Sequence, residues 1–197
     1  MTATLRHDGW GRNPWRLVLW AIPTVLLTTP AVMMLRATEG WLWGPFDFVF
    51  AAVLLFGTTG LIDLAIRKGG SLAYRLGAAL ALLVSLLLIW VNGAVGVIGN
   101  ENNPLNLMFP GVIALALAGS ALARFAARGM ARAMLLAFAL TAAIAAAAPV
   151  FGWGAEEPPG TTGLTTLIGG FALVWGLSAA LFAKAARDEA GGRGEAR

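Results

Sequence analysis

Cysteine is absent from this chain of 197 residues, and histidine occurs once. Without cysteine there is no disulfide, thiolate metal site, iron–sulfur cluster or cysteine nucleophile. The single histidine, His7, lies in the polar N-terminal segment. An apolar domain further along the chain therefore has no imidazole for a metal or haem site or for general-base catalysis. The sequence predicts no metal, no cofactor and no enzymatic activity.

Charged residues are also scarce, at 12% of the chain, which is about half their share in average globular proteins. Hydrophobic residues make up 58% and the mean hydropathy is +0.76. Such a composition excludes an ordinary soluble domain and a disordered chain. It is also too poor in polar residues for the alternating strands of a porin-type barrel. The predicted fold class is all-α, an integral membrane bundle.

Six apolar segments, each long enough to cross a bilayer, are separated by short polar or glycine-rich breaks. The predicted spans are residues 15–35, 46–66, 72–98, 105–125, 131–152 and 162–184. The first is longer than the apolar core of a signal peptide, so we expect it to be retained as a helix. This gives a cytoplasmic tail over 1–14, a six-helix transmembrane domain over 15–187 and a disordered cytoplasmic tail over 188–197.

The basic residues predict the orientation. With the N-terminus in the cytoplasm, all of the 14 lysines and arginines except Arg36 fall on the inner side, as the positive-inside rule requires. The outer loops instead contain Glu39, Glu101, Glu156 and Glu157. We therefore expect a multi-pass protein of the bacterial inner membrane with both termini inside. The basic clusters face anionic lipids in this arrangement, and no nucleic-acid partner is predicted.

A similar short sequence motif ends each inward-running segment, and its last residue is Arg67, Arg128 or Arg187. This spacing is compatible with three helical hairpins descended from one. Evenly spaced spans that obey the positive-inside rule would produce the same spacing, so both explanations stay open.

Small residues are abundant where helices could meet. Gly111, Ala114, Ala118 and Ala121 recur on one face of the fourth segment, and such faces allow close helix contact in lipid. The leading functional hypothesis is therefore a non-enzymatic membrane protein that acts by associating with another membrane subunit or with itself. A lipid- or pigment-binding protein is a third possibility.

Polar residues are concentrated around the outer end of the third segment. Asn92 is expected about 10 Å inside its helix, at 1.5 Å per residue, where a carboxamide needs a partner. The alternative functional hypothesis, a small-solute or ion permease, places a ligand or ion site here. Its residues are Asn92, Asn100, Glu101, Asn102 and Asn106.

Helix capping explains part of the same stretch. Asn103 is a good N-cap and Pro104 suits the first helical position. Asn106 could return a hydrogen bond as in a capping box, but capping does not account for Asn92. A structural turn and a ligand site both remain open from sequence.

The stretch from Trp90 to Met108 resembles a segment of a family of small bacterial polytopic inner-membrane proteins, which reads W-V-N-x-A-V-G-x-I-G-x-E-D-N-P-x-N-L-M. The similarity runs from about Trp41 to Arg132. It implies a membrane location and carries no specific function. This chain has Asn102 where the family has aspartate, which weakens a paired-carboxylate cation site and leaves Glu101 alone.

Overall fold

The computed structural model describes residues 14–36, 42–68, 70–155 and 159–195. Within these ranges all regular structure is helical, and six helices are long and apolar enough to cross a membrane, as the sequence predicts. They are α1 (Pro14–Leu35), α2 (Pro45–Lys68), α3 (Leu72–Ala94), α4 (Met108–Leu122), α5 (Ala127–Phe151) and α6 (Gly160–Glu195). A short 3-10 turn, Pro104–Leu107, leads into α4.

The chain forms two compact units, residues 1–63 and residues 64–197. In the first unit α1 and most of α2 run antiparallel, because Arg16 near the start of α1 contacts Asp63 late in α2. One turn further along α1, the ring of Trp20 stacks on Phe56, with 6.3 Å between the ring centroids. These two contacts hold α1 and α2 together.

The second unit packs around α6. Gly77 on α3 lies against the ring of Phe182 on α6, so these two helices approach closely. On the other side of α6, Gly176 faces the ring of Phe138 on α5. α3 makes its main contacts with α6, whereas α4 packs chiefly on α5. In lipid, such close glycine contacts supply the van der Waals packing that holds helices together.

The core of this unit is apolar and draws on α3, α4, α5 and α6. Its largest fully buried side chains include Leu88, Phe109, Ile168, Trp175 and Phe182. Trp175 is 1% exposed and packs inside this core. Buried alanines recur along one face of α5. Their small side chains allow α5 to pack closely against its neighbours.

The α3–α4 connection differs from the sequence prediction. α3 ends at Ala94 rather than near residue 98, so Asn92 lies in the last turn of the helix and not seven residues inside it. The chain that follows is not solvated loop, because Val97 and Ile98 are buried. Both residues are hydrophobic and continue the apolar run of α3 in sequence. The length of the apolar run therefore overestimates the length of the helix.

The connection between α4 and α5 is short and strained. Arg124 and Phe125 both have positive φ, at 49° and 59°, a conformation that costs a non-glycine residue free energy. The turn is secured by the hydroxyl of Tyr74 on α3, which donates a 2.8 Å hydrogen bond to the carbonyl of Phe125. Because of this turn, α4 ends at Leu122 rather than at the predicted residue 125.

The sixth helix extends further than its apolar pattern. It continues past Arg187 to Glu195, into the segment for which the sequence predicts a tail. Residues 196 and 197 lie outside the described part of the chain. Lys184 pairs with Asp188 one turn on, at 3.1 Å, where the extension begins.

Candidate functional site before α4

Asn106 is the centre of the polar stretch, and it is 3% exposed. Its Oδ1 accepts hydrogen bonds from the backbone N–H groups of Val97 (3.0 Å) and Ile98 (2.8 Å). Its Nδ2 donates to the carbonyls of Ile98 (3.2 Å) and Asn100 (2.7 Å). A carboxamide offers two donors and two acceptor lone pairs, so the hydrogen-bonding capacity of Asn106 is used within the chain.

These contacts correct one part of the capping prediction. A capping box would require the Asn106 side chain to bind the backbone N–H of Asn103. Instead it binds the preceding loop over Val97–Asn100. Without Asn106 the buried N–H groups of Val97 and Ile98 would lose their acceptor, and satisfying them is worth more than a further bond at an accessible helix start.

Asn103 and Pro104 lie at the start of the 3-10 turn. The side chain of Asn103 accepts a hydrogen bond of 3.0 Å from the backbone N–H of Leu105. Pro104 occupies the first position of the 3-10 turn, where its missing N–H leaves no helical bond unmade.

Asn100, Glu101 and Asn102 lie at the exposed tip of the loop. The Asn100 side chain accepts a 3.0 Å bond from the backbone N–H of Asn102, which closes a local turn. The Asn102 amide lies 3.4 Å from a carboxylate oxygen of Glu101. Gly96 makes the turn possible, because it has φ +73° and a Cβ there would overlap the backbone of Asn100. The tip therefore presents one carboxylate and its amide neighbours to solvent.

Asn92 is the residue of this group with unused capacity. Its Nδ2 donates a 3.2 Å bond to the backbone carbonyl of Asn106. Its Oδ1 is buried and has no hydrogen-bond partner in the described ranges. An unpaired buried acceptor costs free energy, so this oxygen could accept a bond from a ligand. The structure thus brings Asn92 and Asn106 together and leaves Glu101 and Asn102 at the surface.

The group is chemically simple. In the part of the chain that the structure describes, no three His, Cys, Asp or Glu side chains come close enough together to hold a metal ion. The available groups are amide oxygens, amide hydrogens and one exposed carboxylate, which can bind polar solutes or a weakly held cation.

Two polar contacts elsewhere in the chain were not found from sequence. In the first, the guanidinium of Arg16 binds both carboxylate oxygens of Asp63, at 3.1 and 2.9 Å. Both side chains are largely buried, at 22% and 6% exposure. The signal available in sequence is their opposite charges at the inner ends of adjacent predicted spans.

Ser178 is the second such residue. Its hydroxyl is fully buried and donates a 2.8 Å bond across to the carbonyl of Gly77. In contrast, the hydroxyls of Ser85 and Thr141 donate hydrogen bonds to carbonyls of their own helices. Interhelical and intrahelical hydroxyl bonds have no distinguishing sequence pattern, although the glycine that faces Ser178 permits the approach.

Comparison with family models, with curated proteins and with solved structures gives no match for this chain. The resemblance carried by Trp90–Met108 therefore stays a prediction, and function has to be argued from the geometry of the described residues.

Proposed function

We propose that this chain is a non-enzymatic multi-pass protein of the bacterial inner membrane that acts by associating with another membrane protein or with a second copy of itself. The polar side chains that could take part in catalysis are instead bound within the chain, which favours association as the function. Asn106 and Asn103 stabilise the chain's own backbone, and the carboxylate of Asp63 is bound by Arg16.

The observation that carries the proposal is the outward face of α4. Gly111, Ala114, Ala118 and Ala121 are all exposed, whereas Val112 and Ile113 on the opposite face are buried in the core. A Cβ at Gly111 would meet no atom within 4 Å. A face of small side chains gives lipid little to pack against but lets another helix backbone approach closely.

The orientation within this proposal has both termini in the cytoplasm. Support comes from the charges of the connections, because Arg124 and Arg128 flank the α4–α5 turn whereas Glu101 lies at the tip of the α3–α4 loop. Cytoplasmic loops carry an excess of Lys and Arg, so α4 would run from the outer to the inner surface.

The test is mild-detergent purification of tagged protein from native membranes, comparing the parent with Ala114→Leu/Ala118→Leu. The matched control is Ala139→Leu/Ala143→Leu, which enlarges two exposed alanines at the same spacing on α5. We expect parent and control to retain a partner or form a defined oligomer, and the α4 variant to lose it. A monomeric parent with no co-purifying protein would contradict the proposal, as would equal effects of the two double variants.

A second function, a small-solute or ion permease, is favoured by the buried and unpaired Oδ1 of Asn92. In that case Asn92 and Glu101 bind the solute at the outer end of α3 and α4. Asn92→Ala and Glu101→Ala would each abolish uptake or solute-induced thermal stabilisation. If both variants behave as the parent does with every solute tested, the permease hypothesis fails.

A further inference from the structure

A groove between α5 and α6 concentrates positive charge at one end of the second unit. Its volume is about 270 Å³, and its lining includes Arg128 and Arg132 of α5 and Arg187 of α6. Arg128 and Arg132 are one helical turn apart, so their side chains lie on the same face of α5. All three arginines are exposed.

The positive charge of the groove is not neutralised by the chain. Among the described residues no carboxylate forms a salt bridge with Arg128, Arg132 or Arg187. Asp188, which follows Arg187, pairs instead with Lys184 at 3.1 Å. The three guanidinium groups around this concavity are therefore not bridged by a described carboxylate.

The walls of the groove are apolar. Its remaining lining consists of the alanines Ala131, Ala183, Ala186 and Ala190. Alanine methyl groups leave space between the two helices and offer nothing to a fully hydrated ion. The combination fits a molecule with an anionic head and an apolar body, since guanidinium binds phosphate oxygens in a bidentate manner.

We propose that this groove binds the head group of an anionic phospholipid from the surrounding bilayer, with Arg128, Arg132 and Arg187 around the phosphate. The volume is slightly below the range of small-molecule pockets, which begins at about 300 Å³. It therefore accommodates the head group and glycerol, while the acyl chains extend along the helices into the membrane. Basic pockets between helices at a membrane surface are suited to such head groups.

The experiment measures the thermal unfolding of the full chain in detergent during titration with phosphatidylglycerol, phosphatidylcholine or inorganic phosphate. The groove variant is Arg132→Gln/Arg187→Gln. Its charge-matched control is Arg36→Gln/Arg124→Gln, which removes two exposed cations that do not line the groove.

We expect phosphatidylglycerol to stabilise the parent and the control, and the other two additives to have no effect. For the groove variant, half-maximal stabilisation should need about thirtyfold more phosphatidylglycerol. Equal stabilisation of groove variant and control would overturn the proposal. So would an unresponsive parent, or a response to inorganic phosphate alone, which would indicate a free-anion site.

Ala190→Phe provides a second test that keeps all three arginines and decides the matter if the double variant does not fold. Ala190 is exposed and lines the groove, so an aromatic ring there fills the cavity without disturbing the core. The variant should lose the response to phosphatidylglycerol. An unchanged response would show that the lipid binds elsewhere.

Discussion

The hydroxyl of Ser178 on α6 donates a hydrogen bond of 2.8 Å to the carbonyl oxygen of Gly77 on α3, 101 residues earlier in the chain. Such a bond requires the two helices to approach closely, and the absent side chain of Gly77 permits it. The same glycine lies against the ring of Phe182. A hydrogen bond and an aromatic contact therefore converge on one position of α3.

Gly77→Ala should destabilise the second unit. The added Cβ would lie 3.2 Å from a ring carbon of Phe182, and that ring is fully buried. Overpacking of this kind costs about 1–3 kcal/mol, seen as a lower unfolding temperature in detergent. Gly169→Ala on α6 is the control, because a Cβ there meets nothing within 4 Å, and it should be neutral or slightly stabilising. Equal behaviour of the two variants would disprove the close contact.

Asn106→Ala should be strongly destabilising without any ligand present. The substitution leaves the buried N–H groups of Val97 and Ile98 without their acceptor, at a cost of about 2–4 kcal/mol. Asn102→Ala, at the exposed loop tip, should change stability by less than about 0.5 kcal/mol. Thermal unfolding of both variants checks this, and a mild Asn106→Ala phenotype would contradict its structural role.

The ion pair between Arg16 and Asp63 should show strong coupling in a double-mutant cycle. Asp63→Ala leaves a partly buried guanidinium without its carboxylate and should cost about 3 kcal/mol. Arg16→Ala/Asp63→Ala should cost less than the sum of the single variants. Lys184→Ala, which breaks the exposed pair with Asp188, should have an effect below about 0.5 kcal/mol. Additive single effects at Arg16 and Asp63 would show that the pair contributes nothing.

The absence of native cysteine allows a direct test of orientation. Single cysteines at Gly70 and Gly129 should react only with reagents that reach the cytoplasm. Cysteines at Asn102 and at position 157 should react with impermeant reagents added outside. Labelling of Gly70→Cys in intact cells would reverse the proposed topology.

The sequence predicts those features that depend on short-range patterns. Helix number follows from the length of the apolar runs, and the role of Asn103 and Pro104 follows from their adjacency at a helix start. Both features depend on residues a few positions apart in sequence. The spacing of such residues in a helix is known without knowledge of the tertiary structure.

The remaining contacts depend on tertiary geometry. Arg16 reaches Asp63 across 47 positions, and Ser178 reaches Gly77 across 101. Asn106 departs from its expected role for the same reason, because a neighbouring loop offers it four backbone groups, of which those of Val97 and Ile98 are buried. Helix-capping rules do not take these competing partners into account, so they assign the Asn106 side chain to the wrong hydrogen bond.

The central position of α6 in the second unit has a consequence for biosynthesis. α3 is translated and inserted long before its main packing partner, since α4 and α5 lie between them in the chain. Until Phe182 and Ser178 arrive, the surface of α3 around Gly77 must remain in contact with lipid or with the insertion machinery. Complete assembly of this unit therefore has to follow synthesis of α6, and a ribosome stalled before that helix would leave α3 without its main packing partner.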